Sequence, residues 1–328
     1  MSLIKEIHSY LSSDIKSINN LIIDSLAVDE TLIQLIGTYL SESGGKRIRP
    51  VLTMLSSRML GYQGDNAIKL AAAIEFLHMA TLLHDDVVDE SEMRRFKPSA
   101  NVVWGNNASI LVGDFLFSQA FRLMVSTNLV HALEVLSNAS SIIIKGEVSQ
   151  LMQLEDKNFI SEQEYLKIIN AKTAELFGTA CEIGGILAEK EGEAKILKDF
   201  GFCLGNIFQI ADDVLDYFSN SEKVGKNIGD DFYEGKVTLP LILLSKKISK
   251  QDDEKLKQML LLSRKERKES DLNWIVDLMR HHDIQKEILI YLNELKQEAI
   301  SLIGQVRVEN QYKQYLQDLV DFAITRTH

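Results

Sequence analysis

Apolar residues recur at i, i+3, i+4 and i+7 over most of the 328-residue chain. That spacing is the 3.6-residue period of amphipathic helices. It predicts helices over 2–24, 29–41, 47–60, 66–90, 107–127, 129–154, 161–189, 192–219, 237–248, 252–262, 265–281, 283–304 and 309–326. Ser161 with Glu164 three residues on reads as a capping box opening one of them. Loop signals fall at Gly44-Gly45, 61–64, 94–100, Asn106-Asn107 and 220–235. No alternating apolar and polar run predicts a strand. The expected fold class is all-α: one domain over 1–328, a large helical bundle around a central cavity.

Composition narrows the picture. Hydrophobic residues make up 45% of the chain, enough for a large core, and only 3 prolines interrupt the helices. A net charge of −11 argues against a nucleic-acid partner. Cys181 and Cys203 lie in apolar helical stretches and read as buried thiols in a reducing compartment. The first eight residues are amphipathic and charged early, unlike a signal peptide. No unbroken apolar run of 18 or more residues predicts a spanning helix, so the expected location is the cytoplasm. The stretch 107–127 is apolar on more than one face, which predicts burial or an interface.

Chemistry concentrates in two aspartate pentads, Asp85-Asp86-Val-Val-Asp89 and Asp212-Asp213-Val-Leu-Asp216, 127 residues apart. Each ends an apolar helical stretch, and carboxylates at i and i+4 share a helix face. Gln209, Asp212, Asp213 and Asp216 form one stripe. A single acidic helix end is ordinary solvated surface, although the macrodipole disfavours acids there. Two such ends in one chain predict facing carboxylates around cations, and oxygen-only donors point to Mg²⁺ completed by substrate phosphates. Basic groups attend each motif: Lys46, Arg47 and Arg49 after the glycine pair, Arg94-Arg95 after the first motif, and Lys226 and Lys236 around the second loop. Lys46 and Arg49 share one face if the helix begins there. His78 lies two turns before Asp85 on the same face, and Lys172-Thr173 sits in an apolar stretch where a lysine requires an anionic partner. The chain has no P-loop pattern, no Cys/His metal spacing and no Ser-His-Asp candidate.

These motifs, in this order, resemble the trans-isoprenyl diphosphate synthases, the polyprenyl synthetases. The resemblance runs over roughly residues 30 to 300 and is carried by Gly44-Gly-Lys-Arg-Ile-Arg-Pro50, Leu82-Leu-His-Asp-Asp-Val-Val-Asp89, Arg94-Arg95, Gly113-Asp114, Lys172-Thr173, Gln209-Ile-Ala-Asp-Asp-Val-Leu-Asp216 and Gly235-Lys-Val-Thr-Leu-Pro240. It is nearest to the long-chain, octaprenyl members that make quinone side chains. The resemblance implies condensation of isopentenyl diphosphate onto an allylic diphosphate by ionisation, attack of the double bond and proton loss. It implies Asp85, Asp89 and Asp212 as direct Mg²⁺ ligands, with Asp86, Asp213 and Asp216 completing the cluster or acting through water. About three Mg²⁺ ions bridge the diphosphate on this reading. Lys46, Arg49, His78 and Arg95 hold isopentenyl diphosphate; Arg94, Lys172, Lys226 and Lys236 hold the allylic diphosphate; Thr173 and Gln209 face the allylic cation. A homodimer is implied, with 107–127 as the contact, and transient membrane contact for release of an apolar product. Phe96 and Val237 depart from the family pattern, which usually has Gly and Pro there.

Product length turns on the residues upstream of Asp85. Thr81, Ala80 and Leu77 lie four, five and eight residues before it. Short-chain relatives place bulky aromatics at the first two positions. Small residues there leave the shaft open, each deeper turn adding about 5.4 Å, so a long, octaprenyl-class product is expected. Phe117, Phe121 and Met124 are candidates for the floor. A shorter-chain synthase and a non-catalytic subunit of a heteromeric synthase remain as alternatives. A terpene cyclase would not need the second basic set.

Overall fold

Few prolines and many strong helix formers leave long helices as the dominant structure, and the computed structural model bears out the all-α expectation. It describes residues 3–42, 46–94, 97–156, 159–218 and 229–325. Two compact units divide the chain. The first comprises Met1–Ser140, Leu176–Gly201 and Ile300–Leu319; the second comprises Ser141–Glu175, Phe202–Ala299 and Val320–His328.

In the first unit, α1 (Leu3–Tyr10) and α2 (Ser12–Leu26) replace the single helix expected over 2–24. Leu11 breaks them apart: its backbone leaves helical geometry while its side chain stays buried. Then follow α3 (Thr31–Glu42), α4 (Ile48–Met59) and α5 (Asn66–Val88). Helix α5 is buried on nearly every side, with Ala71, Ala72 and Ala73 letting neighbours approach closely. The Arg58 guanidinium meets the Asp14 carboxylate at 2.7 Å and fixes α2 to α4. A two-residue hairpin, β1 (Met93–Arg94) with β2 (Lys97–Pro98), and a short helix α6 (Ala100–Trp104) occupy a stretch where only a loop was expected. Helix α7 (Asn106–Ser126) packs on α5. Here Gly113 is a close approach: a Cβ would lie 2.3 Å from His84 Nε2, a ring that donates to the Ile110 carbonyl at 3.2 Å.

Chain from α8 (Val130–Asp156) enters the second unit at Ser141. The helix expected over 161–189 is real but not uniform. It runs as α9 (Glu162–Ile169), one π-helical turn (Asn170–Ala174) and α10 (Glu175–Leu187). The Ser161–Glu164 capping box is present. Helix α11 (Glu191–Phe218) carries the second aspartate motif near its end. Around it stand α12 (Asp230–Glu234), which also falls in an expected loop, α13 (Leu239–Ser245), α14 (Lys250–Leu261), α15 (Glu269–His281) and α16 (Ile284–Gly304). Ile210, Val214, Phe232, Leu241, Leu244, Ile275, Met279, Ile288 and Leu292 form the core of this unit. Helix α17 (Gln311–Thr325) ends the described chain.

One expectation changes. Helices α5 and α7 reach the length and apolarity of membrane spans, with mean hydropathy of 1.3 and 1.4. The scattered polar residues that interrupt both apolar runs are too few to lower the average. Burial accounts for 67% of the most apolar window of α5, as a core helix requires, but for 39% of that of α7. The remainder of α7 shows Ile110, Leu111 and Val125 to solvent, Leu111 at 67% exposure.

Candidate active site

The first aspartate motif closes α5, where backbone carbonyls already accumulate negative charge. Three carboxylates there separate into two kinds. Asp86 is wholly buried, and the Arg94 guanidinium grips it as a fork, with Nε at 2.9 and 2.8 Å from its two oxygens and Nη2 at 2.6 Å. Burial works against the Arg94 charge, but the bond to Asp86 and the field of Asp86, Asp85 and Asp89 outweigh it, so its pKa is raised. Asn101 donates to the backbone carbonyls of Asp86 and Ser91 at 3.1 and 3.2 Å, tying α6 to the same corner. Asp85 and Asp89 keep partial exposure, and the chain turns away at Glu90 through a left-handed φ of 50°. Arg94, expected on the allylic diphosphate, is thus engaged as the counter-ion of Asp86, because a buried carboxylate needs a cation.

The basic segment differs from its expected form. Helix α4 starts at Ile48, so Lys46 precedes it and does not share a helical face with Arg49. The reason is Arg47, which takes a left-handed φ of 48° and turns the chain into the helix. Lys46 is exposed, and its carbonyl accepts from His8 Nε2 at 3.1 Å. Arg49 lies in the first turn with its guanidinium 4.8 Å from the Phe177 ring centroid. His78 on α5 is half-buried. Gly44, Gly45, Arg95, Phe96 and Lys226 lie outside the described residues. Leu77 and Ala80 are buried, and Thr81 donates its hydroxyl to the His78 carbonyl at 2.9 Å.

In the second unit the expected residues fall into one hydrogen-bonded chain. Thr173 Oγ1 donates to Gln209 Oε1 at 2.7 Å; Gln209 Nε2 donates to Asp213 Oδ1 at 2.8 Å. The Tyr165 hydroxyl donates to Asp213 Oδ2 at 2.6 Å. Thr173 and Lys172 sit on the π-helical turn, a distortion that often re-aims side chains at functional sites. Lys172 Nζ donates to Glu147 at 2.8 Å and Gln150 at 3.0 Å, supplying the anionic partner its position demanded. Burial and the nearby charges of Asp231 and Asp212 push the Asp213 carboxyl well up, against the two bonds that hold it down. Asp212 is exposed. Asp216 accepts the backbone N–H groups of Asp230 and Asp231, both at 3.1 Å, and so starts α12. That helix ends at Gly235, in the left-handed region at φ 82°, where a Cβ would lie 2.6 Å from Arg267 Nη2. Arg267 in turn donates to the Tyr233 carbonyl at 2.6 Å. The next residue, Lys236, pairs with Glu234 at 2.7 Å.

Comparison with known proteins decides the family. Residues 30–279 match the family described as Polyprenyl synthetase. The chain belongs to the polyprenyl synthetase family. This synthetase is similar to octaprenyl diphosphate synthase of Escherichia coli strain K12, with 48% identity over 73% of this chain and 74% of that protein. It is similar to octaprenyl diphosphate synthase of Haemophilus influenzae, with 38% identity over 99% of this chain and 98% of that one. A solved polyprenyl synthase from Caulobacter crescentus CB15, complexed with calcium and isoprenyl diphosphate, superposes with a TM-score of 0.93 at 41% identity, covering 99% of this chain and 98% of its own. The synthetase is therefore an enzyme, a prenyltransferase, and stands with the long-chain trans-polyprenyl diphosphate synthases.

The donor set of this synthetase fits a hard divalent cation. Its acids offer only oxygen, and no sulfur or histidine pairing competes. Among the described residues, no three Asp, Glu, His or Cys side chains converge tightly enough to hold a metal by themselves. Three carboxylates (Asp86, Asp213, Asp216) are taken by protein donors. Tyr165, Glu147 and Arg267 were missed from the sequence. Each lies tens of residues from the group it supports, and no spacing rule links them.

Proposed function

We propose that this polyprenyl synthetase makes octaprenyl diphosphate for a quinone side chain. It does so by Mg²⁺-dependent, sequential head-to-tail addition of isopentenyl diphosphate to an allylic diphosphate such as farnesyl diphosphate. One observation carries the site reading. In each aspartate motif one carboxylate is buried and locked by protein donors, Asp86 by Arg94 and Asp213 by Tyr165 and Gln209. The locked residue fixes the end of its helix, and its neighbours Asp85, Asp89 and Asp212 keep access to solvent as ligands of Mg²⁺. Asp86, Asp213 and Asp216 support them or act through water.

When bound, about three Mg²⁺ ions neutralise the charge that reaches the leaving diphosphate as its carbon–oxygen bond breaks. Lys46, Arg49, His78 and Arg95 hold isopentenyl diphosphate. Lys172, Lys226 and Lys236 hold the allylic diphosphate, with Lys172 and Lys236 already oriented by Glu147 and Glu234, and Arg94, which keeps Asp86 through Nε and Nη2, reaches it with Nη1. Thr173 and Gln209 turn oxygen dipoles toward the allylic cation, and their mutual bond keeps the amide in one orientation. An apolar surround keeps water from quenching the cation. The isopentenyl double bond attacks, and its proton leaves with the released diphosphate. No side-chain nucleophile takes part.

Residues 1–328 act as one polyprenyl synthetase domain, as a homodimer in the cytoplasm. The exposed Ile110, Leu111 and Val125 of α7 support a second copy as their cover. Transient contact with a membrane takes the apolar product away. The test is incubation with farnesyl diphosphate, radiolabelled isopentenyl diphosphate and Mg²⁺, with products resolved by length. A ladder ending at octaprenyl supports the reading. A short product retains the reaction but refutes the length. No incorporation by folded protein brings the non-catalytic subunit reading forward.

A further inference from the structure

Arg47 is the middle cation of the run Lys46, Arg47 and Arg49. Its guanidinium is committed to α5. The backbone sits at φ 48°, a region in which a long side chain is uncommon and which persists only where surroundings impose it. The guanidinium turns away to Glu75 of α5, with Nη1 at 2.5 Å from Oε1 and Nη1 at 3.9 Å from Met79 Sδ. Both side chains of the pair are nearly buried, at 11% and 6% exposure. Lys46 stands on one side of this anchor and Arg49 on the other; Glu75 lies three residues before His78 and ten before Asp85 on the same helix.

We propose that Arg47 and Glu75 are positioning residues. Their buried pair, with the left-handed turn at Arg47, sets where Lys46 and Arg49 stand relative to His78 on α5. The inference rests on the reading of Lys46, Arg49 and His78 as the isopentenyl diphosphate set. Arg47 itself touches no substrate. A shift of an ångström in a charged clamp is enough to change binding severalfold or more.

The experiment compares wild type with Glu75→Gln and with the double variant Arg47→Met/Glu75→Leu. The single variant strands a buried charge and is expected to melt early. The double variant replaces the pair with apolar groups of similar size, a change that is often neutral for stability. With wild-type melting restored in the double variant, the expected result is a KM for isopentenyl diphosphate raised about tenfold, with the KM for the allylic diphosphate unchanged. A double variant with wild-type KM values for both substrates overturns the proposal and leaves the pair a stabilising contact only. If wild type itself shows no turnover, the functional reading fails separately. Titration calorimetry with inorganic pyrophosphate then reads the clasp: about tenfold weaker binding in the double variant supports it, and equal binding overturns it.

Discussion

Tyr165 and Asp213 lie 48 residues apart and share a 2.6 Å hydrogen bond in a fully buried setting. That bond fixes one carboxylate oxygen, and Gln209 fixes the other. Removing the hydroxyl leaves a buried acceptor without its donor, which costs about 1–3 kcal/mol. Tyr165→Phe is therefore expected to shift the denaturation midpoint down with an unchanged m value. The chain through Gln209 to Thr173 also loosens, so kcat should fall more than either KM. Equal stability of the variant and wild type in urea would refute the structural part of this argument.

Arg94 grips the buried Asp86 carboxylate of the first motif through both its oxygens. Truncating the arginine leaves an uncompensated buried carboxylate, at a cost of about 3–5 kcal/mol. Arg94→Ala should unfold well below wild type. Adding Asp86→Asn removes the stranded charge and should recover part of that loss. Thermal melts of the single and double variants measure the recovery; a double variant no more stable than Arg94→Ala would show that charge is not the cause.

Burial pushes the Cys181 thiol up to about 12, only partly offset by the neighbouring Ser56 hydroxyl. The thiolate is the reactive species, so at pH 8 only about one thiol in ten thousand is ionised. Native protein should release no colour promptly from a thiol-exchange dye, since Cys203 is buried too. Both thiols should react at once in guanidinium. Prompt labelling of Cys181 in the folded protein would contradict its burial.

Gly201 shows how a residue can be visible in sequence while its reason is not. Its smallness stands out in an apolar stretch of α11. The cause lies on α10: a Cβ at Gly201 would fall 2.5 Å from the Phe177 carbonyl oxygen and 2.7 Å from Gly178 Cα. Backbone cannot rotate aside, so Gly201→Ala should cost about 1–3 kcal/mol by overpacking. Calorimetric melting checks it, and a melting temperature equal to wild type would mean the helices part freely.

The same contrast runs through the site. Helical period made the elements legible, and the paired pentads marked the two acidic clusters, because both are repeated spacings along one strand of sequence. Partners were hidden wherever they came from elsewhere in the chain. Glu75 under Arg47, Glu147 under Lys172 and Tyr165 under Asp213 obey no spacing rule, since tertiary packing brings them in. Local backbone also escaped detection. The left-handed Arg47 and the π-helical turn at Lys172-Thr173 break the regular geometry from which faces were assigned, which is why Lys46 and Arg49 were placed on one helix.

Product length provides the sharpest test of the site. Ala80 is wholly buried on α5, five residues before Asp85, and Leu77 is buried nearly one turn deeper. On the proposed reading, a large ring at position 80 fills the shaft along which the product grows. Ala80→Tyr is expected to stop elongation at farnesyl or geranylgeranyl length while the first condensation continues. Overpacking itself costs about 1–3 kcal/mol, so the variant's melting curve is measured alongside. Ala80→Ser, nearly equal in volume to wild type, should keep the long product and serves as the control. Products of all three proteins are resolved after incubation with labelled isopentenyl diphosphate. A folded Ala80→Tyr enzyme that still makes the wild-type ladder would place the growing chain along another face of α5 and move the length determinant away from Ala80 and Thr81.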